Sequence, residues 1–446
     1  MKIDIDFSGD IIEKALGMGA EQAEVYVRTS RNLSIEVKNQ AVDAFNSSLS
    51  TGYALRVIKN GRLGFSYAND VNDRDIVIRH ALSSSQHTDK DDNLDLPEAA
   101  DSADIEIFDN ALDEIGEKDA IEKTLLLEKS ARDKDRRIQK IRTACGTFTS
   151  SETAIVNSKH IRKKYRATSC TAQIMAIAED NGDNQVGWGF EGSRFLENIS
   201  FERVGISAAE RAVQMLGSRR IKGSRTSVLL DNSVSAAFLG LFAASLSAEA
   251  VQKGKSLLGS KLNKQVLNSK LNMVDTGLLP RKLGSRPVDD EGVPQKEKHV
   301  VREGILQTYL YNTYAAKKQV TQSTGNAVRA GFAALPSIGV SNLFIKALSL
   351  DDIIPKSRMP ETLRDGLYVL DAMGVHTANP ISGEFSIGVT GLWIEKGEII
   401  YPVKEAVISG NILDLFNNIE AVSDDLHFYG SIGAQSLIIS NVDISA

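Results

Sequence analysis

Two of the six histidines stand close to carboxylates in sequence. His376 lies in "GVHTANPISGEFSIG" with Asn379 and Glu384 nearby, and His427 lies in "SDDLHFYGS" beside Asp424 and Asp425. A histidine with carboxylates can ligate a metal or run acid–base chemistry. Neither cluster has the i,i+4 spacing or C-x-x-C pair that makes a metal assignment specific, so a turn held by polar side chains is the simpler reading of each. His80, His87, His160 and His299 read as solvated or packed. Cys145 and Cys170 supply neither a disulfide framework nor a four-cysteine zinc site, and read as small hydrophobes in an extended region. No G-x-S-x-G elbow occurs, so serine hydrolysis has no support.

Two phosphate-like motifs fail on context. "GKS" (254–256) follows a helical pattern where a phosphate loop must follow a strand, and Glu249 stands where that loop needs its first glycine. "GWGFEG" (187–192) is a literal G-x-G-x-x-G. It follows a turn, and no clear helix opens on it, so a strand with Trp188 packed on a sheet fits better than a dinucleotide site.

The elements that would position these residues are legible from periodicity. Residues 8–18, 73–85, 118–134 and 201–216 read as helices. The most apolar passage, "AAFLGLFAASLSAEAVQKGKS" (236–256), reads as a helix over 233–252 capped by Asn232 or Ser233, with Leu239, Phe242, Leu246 and Ala250 in one stripe. It follows a buried strand, "RTSVLLD" (225–231). Residues 23–68 and 153–190 alternate as extended chain, each containing an Asn-Gly turn, Asn60-Gly61 and Asn181-Gly182. "VKNQAVDAF" aligns with "VNSKHIRKKY" and "STGYALRVIKNG" with "CTAQIMAIAEDNG", a degenerate repeat of one long meander. Beyond residue 220 come short apolar runs separated by Gly, Pro, Asn and Asp. The expected fold is α+β. An N-terminal domain of helices and long antiparallel strands (1–220) precedes a C-terminal domain (221–446) whose mixed or antiparallel sheet closes into a barrel- or sandwich-like core.

At 446 residues the chain exceeds a single compact core. A net charge of −6 argues against direct nucleic-acid binding, and the basic runs "HIRKKYR" and "SRRIKGSR" read as solvated faces. The acidic N-terminus "MKIDIDFSGDIIEKAL" is unlike a signal peptide. The apolar passage falls short of the ~20 residues that span a bilayer. A cytoplasmic protein with reduced thiols and no membrane partner is expected.

Six ordered motifs give the chain a resemblance: "DDEGVP" (289–294), "REGILQTYLYNTYAAKK" (302–318), "STGNAVR" (323–329), "SNLFI" (341–345), "SGEFSIG" (382–388) and "SGNILD" (409–414). Together with "AEVYVRTSRNLSIEVKNQ" near the N-terminus, they resemble the TldD/PmbA family, whose members are often labelled modulators of DNA gyrase. The resemblance implies a heteromeric metallopeptidase acting on unfolded peptides, with roles in peptide-antibiotic maturation and antitoxin turnover. In the TldD branch an HExxxH helix and a cysteine near the C-terminus hold zinc. Three ligands leave a fourth position where zinc lowers the pKa of bound water towards ~7.

Registered on "KGKS", the His, Glu and His positions of that motif fall on Leu239, Gly240 and Ala244. The cysteine position falls near "HFYGSIGAQS", which has none. Residues 161–298 contain no histidine, so a slip of a residue or two restores nothing. The chain is thus similar to the TldE/PmbA branch. The resemblance implies no cofactor in this chain, zinc in a TldD-like partner subunit, and an unfolded peptide as substrate. Peptide contacts are expected around His376, Asn379, Gly383, Glu384, Phe385 and Ser386, with edge-strand addition as one mode. Two alternatives stay open: a stand-alone regulatory homodimer of the gyrase-modulator type, and a hydrolase using His376 or His427.

Overall fold

The computed structural model describes residues 5–445. Its first half is one six-stranded antiparallel sheet made by two copies of a helix–meander–helix unit. The first unit comprises α1 (Ile5–Gly17), β1 (Gln22–Lys38), β2 (Ala41–Lys59), β3 (Arg62–Ala68) and α2 (Arg74–Ser84). The second comprises α3 (Glu117–Lys134), β4 (Ile138–Asn157), β5 (Arg162–Asp180), β6 (Asp183–Ser193) and α4 (Phe201–Val213). The strand order β3-β2-β1-β4-β5-β6 is a palindrome about the antiparallel β1–β4 pair. The repeat read from the sequence is therefore a pseudo-two-fold in space. The Asn-Gly turns make it possible: Asn60 and Gly61 (φ 53° and 66°) and Asn181 and Gly182 (49° and 82°) all take left-handed backbone, as a two-residue turn between twisted strands requires.

Each helix pair covers its own stretch of sheet. Ile11, Ile12, Val77 and Ile78 of the first pair bury Val25, Leu55 and Val57. Leu127, Ala131, Val204 and Ala208 of the second bury Ile35, Ile174 and Ala176.

In the second half, β7 (Ser224–Leu230), β8 (Gly366–Met373), β9 (Glu384–Glu395), β10 (Glu398–Asn411) and β11 (Leu437–Ser445) pair in sequence, and β11 returns to β7. The expected closure into a barrel is thus met by five strands. A second, mixed sheet is built on Leu271–Asp275, Lys298–Arg302 and Leu343–Ala347. Helix α5 (Asn232–Ser245) shares one continuous core with barrel and sheet, through Phe238, Leu239 and Phe242.

The apolar helix differs from its expected span. It stops at Ser245, and a separate turn, α6 (Ala248–Gln252), follows. Ser247 leaves helical geometry (φ −63°, ψ 118°) and caps α6 by accepting from the Ala250 amide. The chain there bonds to Leu310, whose amide donates to the Leu246 carbonyl. "GKS" merely ends α6: Gly254 takes φ 66°, and the Lys255 amide closes on the Ala250 carbonyl. Among the described residues, no helix is long and apolar enough to cross a membrane.

Candidate functional site

The N-cap of α5 is Asp231, one residue before Asn232 and two before Ser233, the positions expected from sequence. Its Oδ1 accepts from the Ser233 amide at 3.2 Å and from the Ser233 hydroxyl at 2.6 Å. The helix turns Val234, Phe238, Leu239 and Phe242 inward and leaves Ala237, Gly240 and Ala244 towards the outside. The three register positions thus separate. Leu239 is fully buried in the core, Gly240 faces open space with nothing within 4 Å of where a Cβ would sit, and Ala244 is exposed. Five residues on a helix turn through about 500°, so Leu239 and Ala244 point some 140° apart. None of the three carries a donor atom. Among the described residues, no three His, Cys, Asp or Glu side chains come together as a metal-binding group. These residues do not fit the zinc that the HExxxH helix of the TldD branch holds.

Opposite α5 stands the segment that read as a dinucleotide motif. In "GWGFEG" Gly187 and Gly189 face α4, whereas Gly192 faces Leu283: a Cβ on Gly187 would lie 2.2 Å from the Ala208 carbonyl oxygen, and one on Gly189 2.3 Å from that of Val204. Strand alternation then sends Trp188 and Phe190 to the other face. There Trp188 meets Tyr429 edge-on at 5.9 Å between ring centroids, and Phe190 stacks on Tyr429 at 6.0 Å.

The three rings border two adjoining cavities. One, of about 600 Å³, is lined by Thr143, Gln173, Ile174 and Met175 of the first half together with the Tyr429–Gly430 turn. The other, of about 380 Å³, runs under Ser233, Val234, Ala236 and Ala237 of α5 to Asp371 and Ala372. Trp188 and Tyr429 line both, so the two form one cleft between the halves, with aromatic rings on one wall and the small residues of α5 on the other.

A polar network lies beside the cleft. Arg211 of α4 donates to Asp231 at 2.7 Å, and its guanidinium lies 5.0 Å from the Trp188 ring centroid. The Tyr368 hydroxyl donates to Asp231 Oδ2 at 3.2 Å, and Lys356 bridges Asp231 (3.7 Å) and Asp425 (2.9 Å). Burial pushes the Asp231 carboxyl up, but Arg211, Lys356 and the Ser233 hydroxyl outweigh it and hold it below the usual carboxylate range. Tyr429 is oriented by donating to Asn232 Oδ1 at 2.8 Å, and Trp188 by donating to Asp371 at 3.3 Å.

The histidine clusters are placed otherwise. His427 packs against Tyr429 at 4.7 Å, and burial with nearby Lys282 favours its neutral form. Asp425 is engaged by Ser436, Asn232 and Lys356. His376 is exposed in a short 3-10 turn. Asn379 accepts from the Ile381 and Ser382 amides, shaping the turn in which Gly383 takes φ 79°. Phe385 is buried edge-on against Phe238 of α5 at 5.1 Å, while Glu384 and Ser386 are exposed. None of these six lines the aromatic cleft. Among the strands, Glu384–Ile387 pairs with β10 alone, since β8 ends opposite Gly388, while the Glu384 carbonyl also accepts from the Asn379 amide at 2.9 Å.

Most of the motifs that carry the resemblance converge on a buried ionic chain between the halves. Arg56 of β2 bonds both Glu24 of β1 (2.8 Å) and Glu291 (2.9 Å), and Arg329 bonds Glu24 at 2.5 Å. Asp289 accepts from the amides of Glu291, Val293 and Ala327, and burial beside Glu291 raises its pKa to about 7. Asp275 holds Lys298, Asn326 and the Ser341 amide. "SGEFSIG" and "SGNILD" are cross-strand partners, Phe385 opposite Gly410.

Fold and site together define a two-half α+β protein whose apolar helix α5 presents no metal ligands at Leu239, Gly240 and Ala244. Three family domains match the chain: PmbA/TldA metallopeptidase domain 1 over residues 23–103, the central domain over 110–216 and the C-terminal domain over 223–446. The chain belongs to the PmbA/TldD family. It is 29% identical over 434 residues to the metalloprotease PmbA homolog of Buchnera aphidicola from Acyrthosiphon pisum, spanning 95% of this chain and 92% of that protein. Among solved structures, a Thermotoga maritima protein described as a candidate modulator of a DNA gyrase superposes with TM-score 0.91 at 27% identity, covering 99% of each chain. TldE from Thermococcus kodakarensis shares the fold, with TM-score 0.90 at 20% identity over 99% of this chain and all of that one.

Proposed function

We propose that this chain is the non-catalytic, TldE/PmbA-type subunit of a heteromeric peptidase. It holds an unfolded peptide in the cleft between Trp188, Phe190, Tyr429 and α5, while a TldD-like partner supplies zinc and general base. The observation that carries this reading is the outer face of α5. Ala237, Gly240 and Ala244 leave room for a backbone beside the helix, and none offers a metal ligand. Of the three, Ala237 lines the cavity that Trp188 and Tyr429 border, and those rings supply contact area that tolerates varied side chains. The stretch Phe385–Ile387 of β9, which pairs with β10 alone, is a second place where an extended segment can add. Cytoplasmic peptide maturation and antitoxin turnover are the settings this role fits.

The test is reconstitution. Chain and TldD-like partner are purified separately and mixed, and cleavage of an unfolded peptide is followed. Cleavage is expected only in the mixture, and Trp188→Ala with Tyr429→Ala should raise KM at least about tenfold. Equal cleavage by the partner alone would overturn the reading.

A further inference from the structure

The contact between the halves gathers more positive charge than it pairs. Arg28 of β1 stands opposite Thr153 of β4, and Thr153 opposite Tyr165 of β5, so the three side chains share one face of the sheet. Tyr26, on the same face of β1, reaches Asp290 Oδ1 at 3.5 Å, which sets the segment 281–290 of the second half against this face. On the other flank of Arg28 stands Gly52, where a Cβ would meet the Phe332 ring at 2.3 Å.

Two further guanidiniums come from this contact. Arg286 Nη1 lies 3.3 Å from Asp290 Oδ2, while its Nε is buried with no hydrogen-bond partner. Arg194, just past β6, donates to carbonyl oxygens alone: Thr168 at 3.2 Å, Lys282 at 3.4 Å, Leu283 at 2.5 Å and Ser285, beside Arg286, at 3.1 Å. Burial, with Arg286 and Arg28 nearby, lowers the Arg194 guanidinium to about 10. Among the described residues, neither Arg28 nor Arg194 has an ion-pair partner, and the Arg28 side chain makes no hydrogen bond. The carboxylates at hand are committed elsewhere: Asp290 Oδ2 accepts from the Arg329 amide at 2.7 Å, and Glu24 is held by Arg56 and Arg329. Like charges gathered in a half-buried contact cost stability until an anion joins them.

We propose that Arg28, Arg286 and the Tyr165 hydroxyl form a binding site for an oxyanion, a carboxylate or phosphate group, on this face of the sheet. Guanidinium forks match both groups in geometry and charge. Arg28 is half-buried with its donors unused, Arg286 brings its unpartnered Nε–H, and Tyr165 offers a neutral donor across the row. Arg194 stays on its carbonyls and adds positive field. Met175, the partner of Trp188, lies towards the other end of β5, about 33 Å along the strand from Tyr165. The site is therefore separate from the aromatic cleft, and the proposal does not depend on the peptide-holding role.

The experiment is calorimetric titration of the full chain at fixed ionic strength with three probes: inorganic phosphate, an N-acetylated dipeptide acid, and the same dipeptide as its amide. Saturable binding of phosphate or of the acid, and none of the amide, is expected, and Arg28→Met should weaken it at least about tenfold. Binding of the acid alone marks a peptide C-terminus as the occupant, and binding of phosphate alone marks a phosphate group; either supports the site. Without ligand, Arg28→Met should melt at the same temperature as the wild-type chain or higher, because no ion pair is lost and a like charge is removed. A purely structural arginine would lower it. No saturable binding of either anion, an amide that binds as well as the acid, binding that persists in Arg28→Met, or a lower melting temperature of ligand-free Arg28→Met would overturn the proposal.

Discussion

Arg211 Nη2 donates to Asp231 Oδ1 at 2.7 Å, so the last turn of α4 holds the N-cap of α5. One ion pair thereby ties α4, which backs the aromatic wall, to α5, which forms the other wall of the cleft. Arg211→Met leaves Asp231 buried with Lys356 at 3.7 Å as its remaining cation. A loss of about 3 kcal/mol is expected at pH 7, read by chemical denaturation.

The same pair sets a pH dependence. The Asp231 carboxyl is held below its ordinary value, so its stabilisation is full above the unfolded pKa and is lost as pH falls through the folded one. In Arg211→Met, burial works with less opposition and the carboxyl protonates more readily. The stability gap between wild type and Arg211→Met should therefore be largest near neutral pH and narrow below about pH 5. A gap that widens on acidification would contradict the assignment.

Gly189→Ala places a methyl against the Val204 carbonyl of α4. It is expected to cost about 2 kcal/mol and to shift Trp188, read as a lower melting temperature with altered tryptophan fluorescence. An unchanged midpoint would mean that β6 does not lie on α4 as closely as described.

Gly240 offers the opposite test, because a Cβ there meets open space. Gly240→Ala should stabilise the helix by up to about 1 kcal/mol. Gly240→Phe should leave the fold intact and weaken binding of a labelled unfolded peptide to the assembled complex at least about tenfold. Unchanged peptide affinity would remove this face of α5 from the binding surface.

Arg329 contacts Glu24 across the halves, with both side chains essentially buried. Arg329→Met should cost about 3 kcal/mol and uncouple the halves, so that calorimetry resolves two transitions in place of one.

Much of this was legible in the sequence, because local rules governed it. The repeat declared itself through two Asn-Gly turns, and the barrel through short strands with regular punctuation. The cleft was not legible. "GWGFEG" read as a strand with Trp188 packed on a sheet, but the reason for Gly187 and Gly189 is the backbone of α4, which comes close only in the folded chain. Asp231 read as the last residue of a strand, although an Asp before an apolar helix is itself a cap signal that could have found it. The break after Ser245 depends on Leu310, remote in sequence. The peptide-contact segment 376–386 was singled out by motif alone, and the structure uses Asn379 to shape a turn and Phe385 to fill the core.

The central claim is that this chain shapes a cleft and leaves the chemistry to a partner. It is tested most directly by elemental analysis and peptide cleavage on the same preparation of the chain alone, after stringent purification. Zinc well below one equivalent, with no cleavage until a TldD-like chain is added, is the predicted result. One tightly held zinc per chain together with peptide cleavage by the chain alone would contradict it.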